Sequence, residues 1–287
     1  MRVWNKTLVM PSTESVATSV DKTFSEHARG MGGYPCSGYG SAAEFFATYF
    51  DASERLQSYD AFLTAHLPRE ARTLSIASGR CANEMRLVSR GYCIVCSDLE
   101  PVCPGPTRAL FPDYAFMKWD AMADPIPVDR FDAAICLSFV YLLSPDALDA
   151  FMERVRAVLA PGGLFILDAA GSPDHLVANV LHDVVLPLDA RLSCALFNLW
   201  ARARGRERRV VRRKHHGYRY ADTEFIAAAR RHGLVLEAIS HMDFENEWMR
   251  MIAYRRVLLR VPFVRAAMRR VGRRIPYVRM FAFRCKE

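Results

Sequence analysis

The sequence predicts an α/β protein in which a mostly parallel sheet carries helices on both faces. Two observations predict it. Short apolar runs alternate along the chain with segments whose apolar residues recur at helical spacing, the pattern of strand–helix–strand units. The first run stops at a glycine, Gly79, and the second at an aspartate, Asp98, so residues suited to ligand contact fall where parallel strands end.

Residues 1–40 are polar and turn-rich and are expected to be ordered only in part. Ser41 to His66 reads as two helices in front of the sheet, with Ser41 and Glu44 as a capping box. Strands are expected at Leu74–Ala77, Tyr92–Ser97, Ala115–Trp119, Ala133–Leu137 and Leu164–Leu167. Helices are expected between them at Asn83–Ser89, Thr107–Phe111 and Asp146–Leu159, the last stopped by the Pro–Gly break in "APGG". A helix at Thr223–His232 and a strand at Leu234–Ser240 follow. A basic helical stretch then precedes a last alternating strand, Val278–Arg284. The organisation read from this is an N-terminal segment, 1–40, and one domain, 41–287. The domain comprises N-terminal helices (41–70), a ligand-binding core (71–170), an acceptor side (171–233) and a basic helical insertion (245–276).

The 287 residues can bury a sizeable core, and the chain shows no apolar run suited to a signal peptide or a spanning helix. With Cys93, Cys96 and Cys136 inside apolar runs, the eight cysteines read as reduced and buried, which places the protein in the cytoplasm. Cys93 and Cys96, three apart on one strand, point to opposite faces, so no metal set is read from them. The net charge of +8 is unevenly spread. Residues 202–214 hold eight basic residues and one acid, and 250–274 hold nine arginines and no acid, so the rest of the chain is acidic. Aromatic residues are sparse in both runs and no nucleic-acid module is visible, which makes nucleic acid an unlikely partner. Phe263–Arg274 instead places Val264, Ala267, Met268 and Val271 in one stripe and Arg265, Arg269 and Arg273 in another. That is the pattern of a helix lying on an anionic membrane, at its inner face; the same apolar stripe would face the core of a packed domain.

Gly79 lets the backbone approach a ligand closely, and Asp98, nineteen residues on, can accept hydrogen bonds from both ribose hydroxyls. Together they frame a nucleoside. The loop "ASGRCANE" has one glycine and offers little to a pyrophosphate, which disfavours a nucleotide-dependent oxidoreductase. The stretch resembles the first motif of class I S-adenosylmethionine-dependent methyltransferases, as "FMKWDAMADPIP", "FDAAICLSFVYLL" and "RVRAVLAPGGLFIL" resemble the later ones in order. Ala77 and Cys81 stand where two glycines are frequent in that family, and Ser75 where an acid is frequent.

The resemblance implies a Rossmann-like sheet of seven strands, the N-terminal helices as a lid, and S-adenosyl-L-methionine as cofactor. It implies cofactor contacts from Ala77, Ser78, Gly79, Asp98, Leu99, Asp120, Ala121 and Ser138. Asp120 would lie near the adenine and Ser138 at the sulfonium end; no metal is implied. Candidate bases for an acceptor hydroxyl are His175, His215 and His216. The expected reaction is methyl transfer to a small acceptor, most simply O-methylation of a sugar or a lipid-linked glycan precursor. The alternative is a non-catalytic binding protein on a degenerate version of the fold, docked to anionic membrane.

Overall fold

The computed structural model describes residues 1–12, 41, 53–101, 104–243, 261–272 and 276–286. In chain order the elements are β1 (Arg2–Pro11), α1 (Ser53–His66), β2 (Thr73–Ile76), α2 (Ala82–Val88), β3 (Ile94–Asp98), α3 (Pro104–Leu110), β4 (Ala115–Lys118) and β5 (Phe131–Cys136). There follow α4 (Pro145–Val158), β6 (Leu159–Ala170), α5 (Leu176–Val180), a π-helical turn at Leu181–Val185, α6 (Leu186–Ala203) and β7 (Arg209–Arg219). The last are α7 (Asp222–Arg231), β8 (Leu234–Asp243), α8 (Pro262–Gly272) and β9 (Pro276–Cys285). They form two compact units. A sheet unit comprises Lys22–Ala169, Asp222–Ser240 and Arg279–Glu287; a ribbon unit comprises Met1–Asp21, Ala170–Ala221 and His241–Val278.

The sheet unit is built on seven strands in the order β4-β3-β2-β5-β6-β9-β8. β2 pairs in parallel with both β3 and β5, β3 with β4, and β5 with β6. Strand order therefore reverses at β2/β5, and the crevice outside the carboxyl ends of these two strands is where such sheets take ligands. The strands are apolar and short because both faces are covered: Leu74, Ile76, Ala134, Ile135, Phe165 and Ile166 are all buried. α4 shows how the cover is made. Ser144 caps it, its Oγ accepting from the Ala147 N–H at 3.3 Å, and Pro145 opens the first turn. Leu148, Phe151, Met152, Val155 and Val158 form its buried stripe, and the Phe151 and Phe165 rings meet at 6.2 Å. Each such side chain stabilises the fold by about 1.5–3 kcal/mol through burial. At the far edge Arg284 of β9 grips Glu237 of β8 with two hydrogen bonds of 2.8 and 2.9 Å, and that carboxylate holds the guanidinium pKa above its usual value.

The Pro–Gly pair of "APGG" differs from expectation. β6 runs from Leu159 to Ala170, so the pair lies inside the strand. Leu159 pairs with Phe131, and a register shift before Ala133 absorbs the irregular step. Of the two helices expected before the sheet, α1 is the second. The first, with Glu44 of the capping box, falls outside the described residues.

The ribbon unit is the larger departure. Arg2–Pro11, expected to be polar and poorly ordered in part, form a strand paired antiparallel with β7, from Arg2 opposite Arg219 to Pro11 opposite Arg209. His216 is the extra residue of a bulge opposite Trp4 and Asn5, and its ring meets Trp4 edge-on at 4.4 Å. The charge run 202–214 thus enters a strand at Arg209. Asn198 of α6 fixes that entry, donating to the Arg209 carbonyl at 2.8 Å and accepting from its N–H at 2.7 Å. α5, the π turn and α6 follow one another without a break from Leu176 to Ala203. Pro187 explains the widened turn, since it has no N–H for the regular helical bond. Of the basic insertion, α8 is described, between β8 and β9. Of its apolar stripe, Val264 is half-buried and Ala267 exposed. Residues 244–260 and 273–275, and with them Arg273 and Arg274, lie outside the described residues.

Candidate functional site

β2 ends at Ile76, and the chain turns through three left-handed residues: Ala77 (φ 54°), Gly79 (φ 53°) and Cys81 (φ 59°). Glycine adopts this conformation freely. Alanine and cysteine carry a penalty of about 1 kcal/mol each, which the surrounding fold imposes. The two positions where the sequence departs from glycine have kept the glycine conformation. Ser78 anchors the turn, its N–H and Oγ both donating to the Ser97 carbonyl at 2.9 and 3.1 Å. Beside it Asp98 closes β3. Its Oδ2 accepts from the Gly79 N–H and its Oδ1 from the Leu99 N–H, both at 2.8 Å. Each carboxylate oxygen can accept more than one hydrogen bond, so Asp98 can shape the loop and still receive a vicinal diol.

Two acids that the sequence reading does not single out, Glu84 and Asp168, join Asp98 near this turn. Glu84, fully enclosed in the first turn of α2, accepts from Ser75 Oγ at 2.6 Å. Burial pushes its pKa up to about 7; hydrogen bonds from Ser75 and the backbone oppose the rise, and the Asp98 charge adds to it. Asp168, buried in β6, accepts from the Tyr59 hydroxyl of α1 and from the Ser138 N–H. The buried Cys136 thiol is pushed up first by its burial and then by Asp168, Asp98 and Glu84, so all three carboxylates act at the end of β5. Ser75, where an acid is frequent in the resembling family, is thus hydrogen-bonded to one. Arg80 is buried in the same loop.

The other expected contacts are placed as follows. Ser138, exposed at the exit of β5, also takes a left-handed φ of 59°. Asp120 follows β4 and closes a turn, its Oδ1 accepting from Met122 N–H at 2.8 Å and Ala123 N–H at 3.2 Å; Ala121 is buried and its carbonyl accepts from Arg154. Ala77, Ser78, Gly79, Asp98 and Leu99 therefore form one cluster and Ser138 joins Asp168. Asp120 and Ala121 lie just beyond the Trp119 N–H that donates to the Asp98 carbonyl at 3.0 Å. The three candidate histidines belong to the ribbon unit. His175 caps α5, its Nδ1 accepting from the Ala178 N–H at 3.3 Å; His215 packs edge-on against Tyr218 at 5.0 Å, and His216 against Trp4. Asp168 carries the same sign as Asp98, an acid at the end of an apolar run. Glu84 and Tyr59 sit within helices, where nothing local marks them.

Carboxylates grouped around a backbone turn suit a ligand with a diol and positive charge better than one with a pyrophosphate. No protein-family model matches the chain, and no curated protein sequence matches it. Solved structures do. The magnesium protoporphyrin IX methyltransferase of Synechocystis PCC 6803, with bound S-adenosylhomocysteine, superposes with a TM-score of 0.52 at 14% identity, over 92% of this chain and 95% of that one. The 1,6-didemethyltoxoflavin-N1-methyltransferase of Burkholderia thailandensis, with the same bound product, gives 0.51 at 16% identity over 97% and 95%. A 4+2 cyclase gives 0.50 at 18% identity over 82% of each chain. The strand order, the crevice at β2/β5 and these superpositions agree: the chain has the fold of the class I S-adenosylmethionine-dependent methyltransferases.

Proposed function

We propose that the protein transfers a methyl group from S-adenosyl-L-methionine to a small acceptor. The observation that carries this is the cluster at the carboxyl ends of β2, β3 and β5, where Asp98 holds the Gly79 N–H and acts electrostatically on the buried Glu84. In this reading Asp98 holds the ribose hydroxyls and the turn Ala77–Ser78–Gly79 lies against the nucleoside. Leu99, Asp120 and Ala121 border the adenine, and Ser138 borders the sulfonium end. Glu84 takes over the acidic role that Ser75 cannot fill.

The bound cofactor would supply an electrophilic methyl on a positively charged sulfur. The chain's own contribution is placement: aligning an acceptor atom in line with that carbon and excluding water are worth more here than any proton transfer. The acceptor we favour is a hydroxyl of a sugar or of a lipid-linked glycan precursor, because the basic runs suit an acceptor that carries phosphate. A hydroxyl calls for a base, and His175, His215 and His216 are the candidates.

A second reading rests on the left-handed Ala77 and Cys81. A turn that has lost two of its usual glycines suits a protein that binds the cofactor without turning it over. Titration calorimetry with S-adenosylmethionine, S-adenosylhomocysteine and NAD separates these readings. We expect the first two to bind and NAD not to. Asp98→Ala is expected to weaken binding by about 1–3 kcal/mol, and Gly79→Val to abolish it. Unchanged affinity in a folded Asp98→Ala protein, or binding of NAD in preference, overturns the assignment. Product binding without turnover on any phosphosugar or lipid-linked sugar selects the binding-protein reading.

A further inference from the structure

The helix from Leu176 to Ala203 exposes the wrong face for an ordinary surface helix. Its packed side carries Cys194 and Ala201, both buried. On its open side Val180, Val184, Leu188, Leu192, Leu196 and Trp200 follow one another at four-residue steps, and each is between 39% and 61% exposed. Residues four apart are neighbours on a helix, so these form a row about 30 Å long at 1.5 Å per residue, which advances about 40° round the axis at each step. Leu199, 68% exposed, widens it. Single exposed leucines are ordinary, but a continuous apolar stripe marks a surface that something covers.

What flanks the stripe tells what covers it. Arg191 and Arg202 are exposed beside the leucines. Two guanidinium groups approach Trp200, Arg204 at 5.3 Å and Arg206 at 5.0 Å from its ring, and Arg209 lies 4.0 Å from the Phe197 ring. Next to Val184 and Leu188 opens a cleft of about 470 Å³ into which Arg191 and Arg213 both turn. The acid in that cleft, Asp183, is paired with Arg2 at 3.0 Å. Between residues 176 and 213 the chain has eight arginines against three acids, Asp183, Asp189 and Glu207. An anionic bilayer offers an apolar boundary for the leucines and phosphates for the arginines at once. No helix among the described residues is long and apolar enough to cross a membrane, so this one would lie in the plane of the interface.

We propose that Leu176–Ala203 is a docking face for anionic phospholipid, its leucine stripe at the acyl boundary and the Arg191–Arg213 cleft on a headgroup phosphate. The face is separate from α8 and independent of the methyl-transfer reading, because its test uses no cofactor. The full chain is floated with vesicles of phosphatidylcholine alone or mixed with phosphatidylglycerol. It is expected to float with the mixed vesicles only and to be released as salt rises. Leu188→Gln with Leu192→Gln and Leu196→Gln, and separately Arg191→Glu with Arg213→Glu, should each lower the bound fraction about tenfold while leaving the melting temperature unchanged, since all these side chains reach the surface. Three outcomes overturn the proposal. One is flotation insensitive to both variants but lost in Arg265→Glu with Arg269→Glu, which moves docking to α8. Another is equal flotation with neutral vesicles. The third is a concentration-dependent dimer, without vesicle binding, that the leucine variant dissociates.

Discussion

At the scale of single residues, the turn after β2 combines two demands that normally fall to glycine and here fall partly to other side chains. Ala77 and Cys81 sit at positive φ because Ser78 and Gly79 between them are fixed to Ser97 and Asp98. The departures from the glycine pattern that the sequence displays are therefore compensated by the fold, not by a different turn. Cys81 has a further reason to stay, since its thiol is buried against Ser78 and the Gly79 carbonyl. Ala77 has none visible, and that isolates the strain. An Ala→Gly change at an ordinary position costs about 0.5–1 kcal/mol through the entropy of the unfolded chain. At position 77 relief of the left-handed strain should cancel that cost, so Ala77→Gly is expected to be neutral or stabilising by up to about 1 kcal/mol, and Ala77→Val destabilising. Thermal melting of the two variants checks it. The usual loss on Ala77→Gly would mean the turn relaxes out of the left-handed region.

At the scale of elements, what is legible in the sequence is what is locally encoded. The strands β2 to β6 and the helix α4 are readable because each buries a run or a stripe that neighbours in sequence complete. Gly79 and Asp98 are readable because strand ends place them. The β1–β7 ribbon is not, because β1 finds its partner some two hundred residues away and β7 begins as a run of arginines. Nor are Glu84 and Tyr59, whose significance comes only from what they meet in space. The Pro–Gly step inside β6 lies between these cases, since the sequence marks the break but not that the strand continues through it. Its two glycines do different work. Gly162 needs φ 72° and has open space around it, whereas a Cβ on Gly163 would lie 2.8 Å from the Ala160 carbonyl oxygen and 3.2 Å from that of Asp132. Those are backbone atoms and cannot step aside. Gly163→Ala should cost about 1–3 kcal/mol, more than the roughly 1 kcal/mol of strain at Gly162→Ala. Urea midpoints rank the two, and equal losses would show that this stretch of β6 yields as a whole.

At the scale of the whole molecule, the two units carry buried titratable groups that respond to acid in opposite directions. In the ribbon unit His182 is 7% exposed, its ring 5.5 Å from Trp4. Burial lowers its pKa to about 4, Arg219 pushing the same way and Asp183 opposing. In the unfolded chain this histidine titrates near 6.5. Between these values the unfolded state binds the extra proton, so the stability His182 gives the ribbon unit is present above pH 6.5 and lost as pH falls towards 4. In the sheet unit Glu84 is raised from 4.5 to about 7. There the folded state binds the extra proton, so its contribution is present below pH 4.5 and lost as pH rises through 7. Each effect is about 3 kcal/mol, from about 1.4 kcal/mol per unit of pKa. The prediction concerns the slopes that single substitutions remove. His182→Gln should flatten the loss of stability between pH 6.5 and 4, and Glu84→Gln the loss between pH 5 and 7. Denaturant unfolding of the two variants and the parent across this range, followed by Trp4 and Trp200 fluorescence for the ribbon unit and Trp119 for the sheet unit, provides the measurement. If the two variants shift stability with the same sign on acidification, the two carboxylate and imidazole environments are not those described, and the acidic cluster proposed to grip the cofactor loses its buried member.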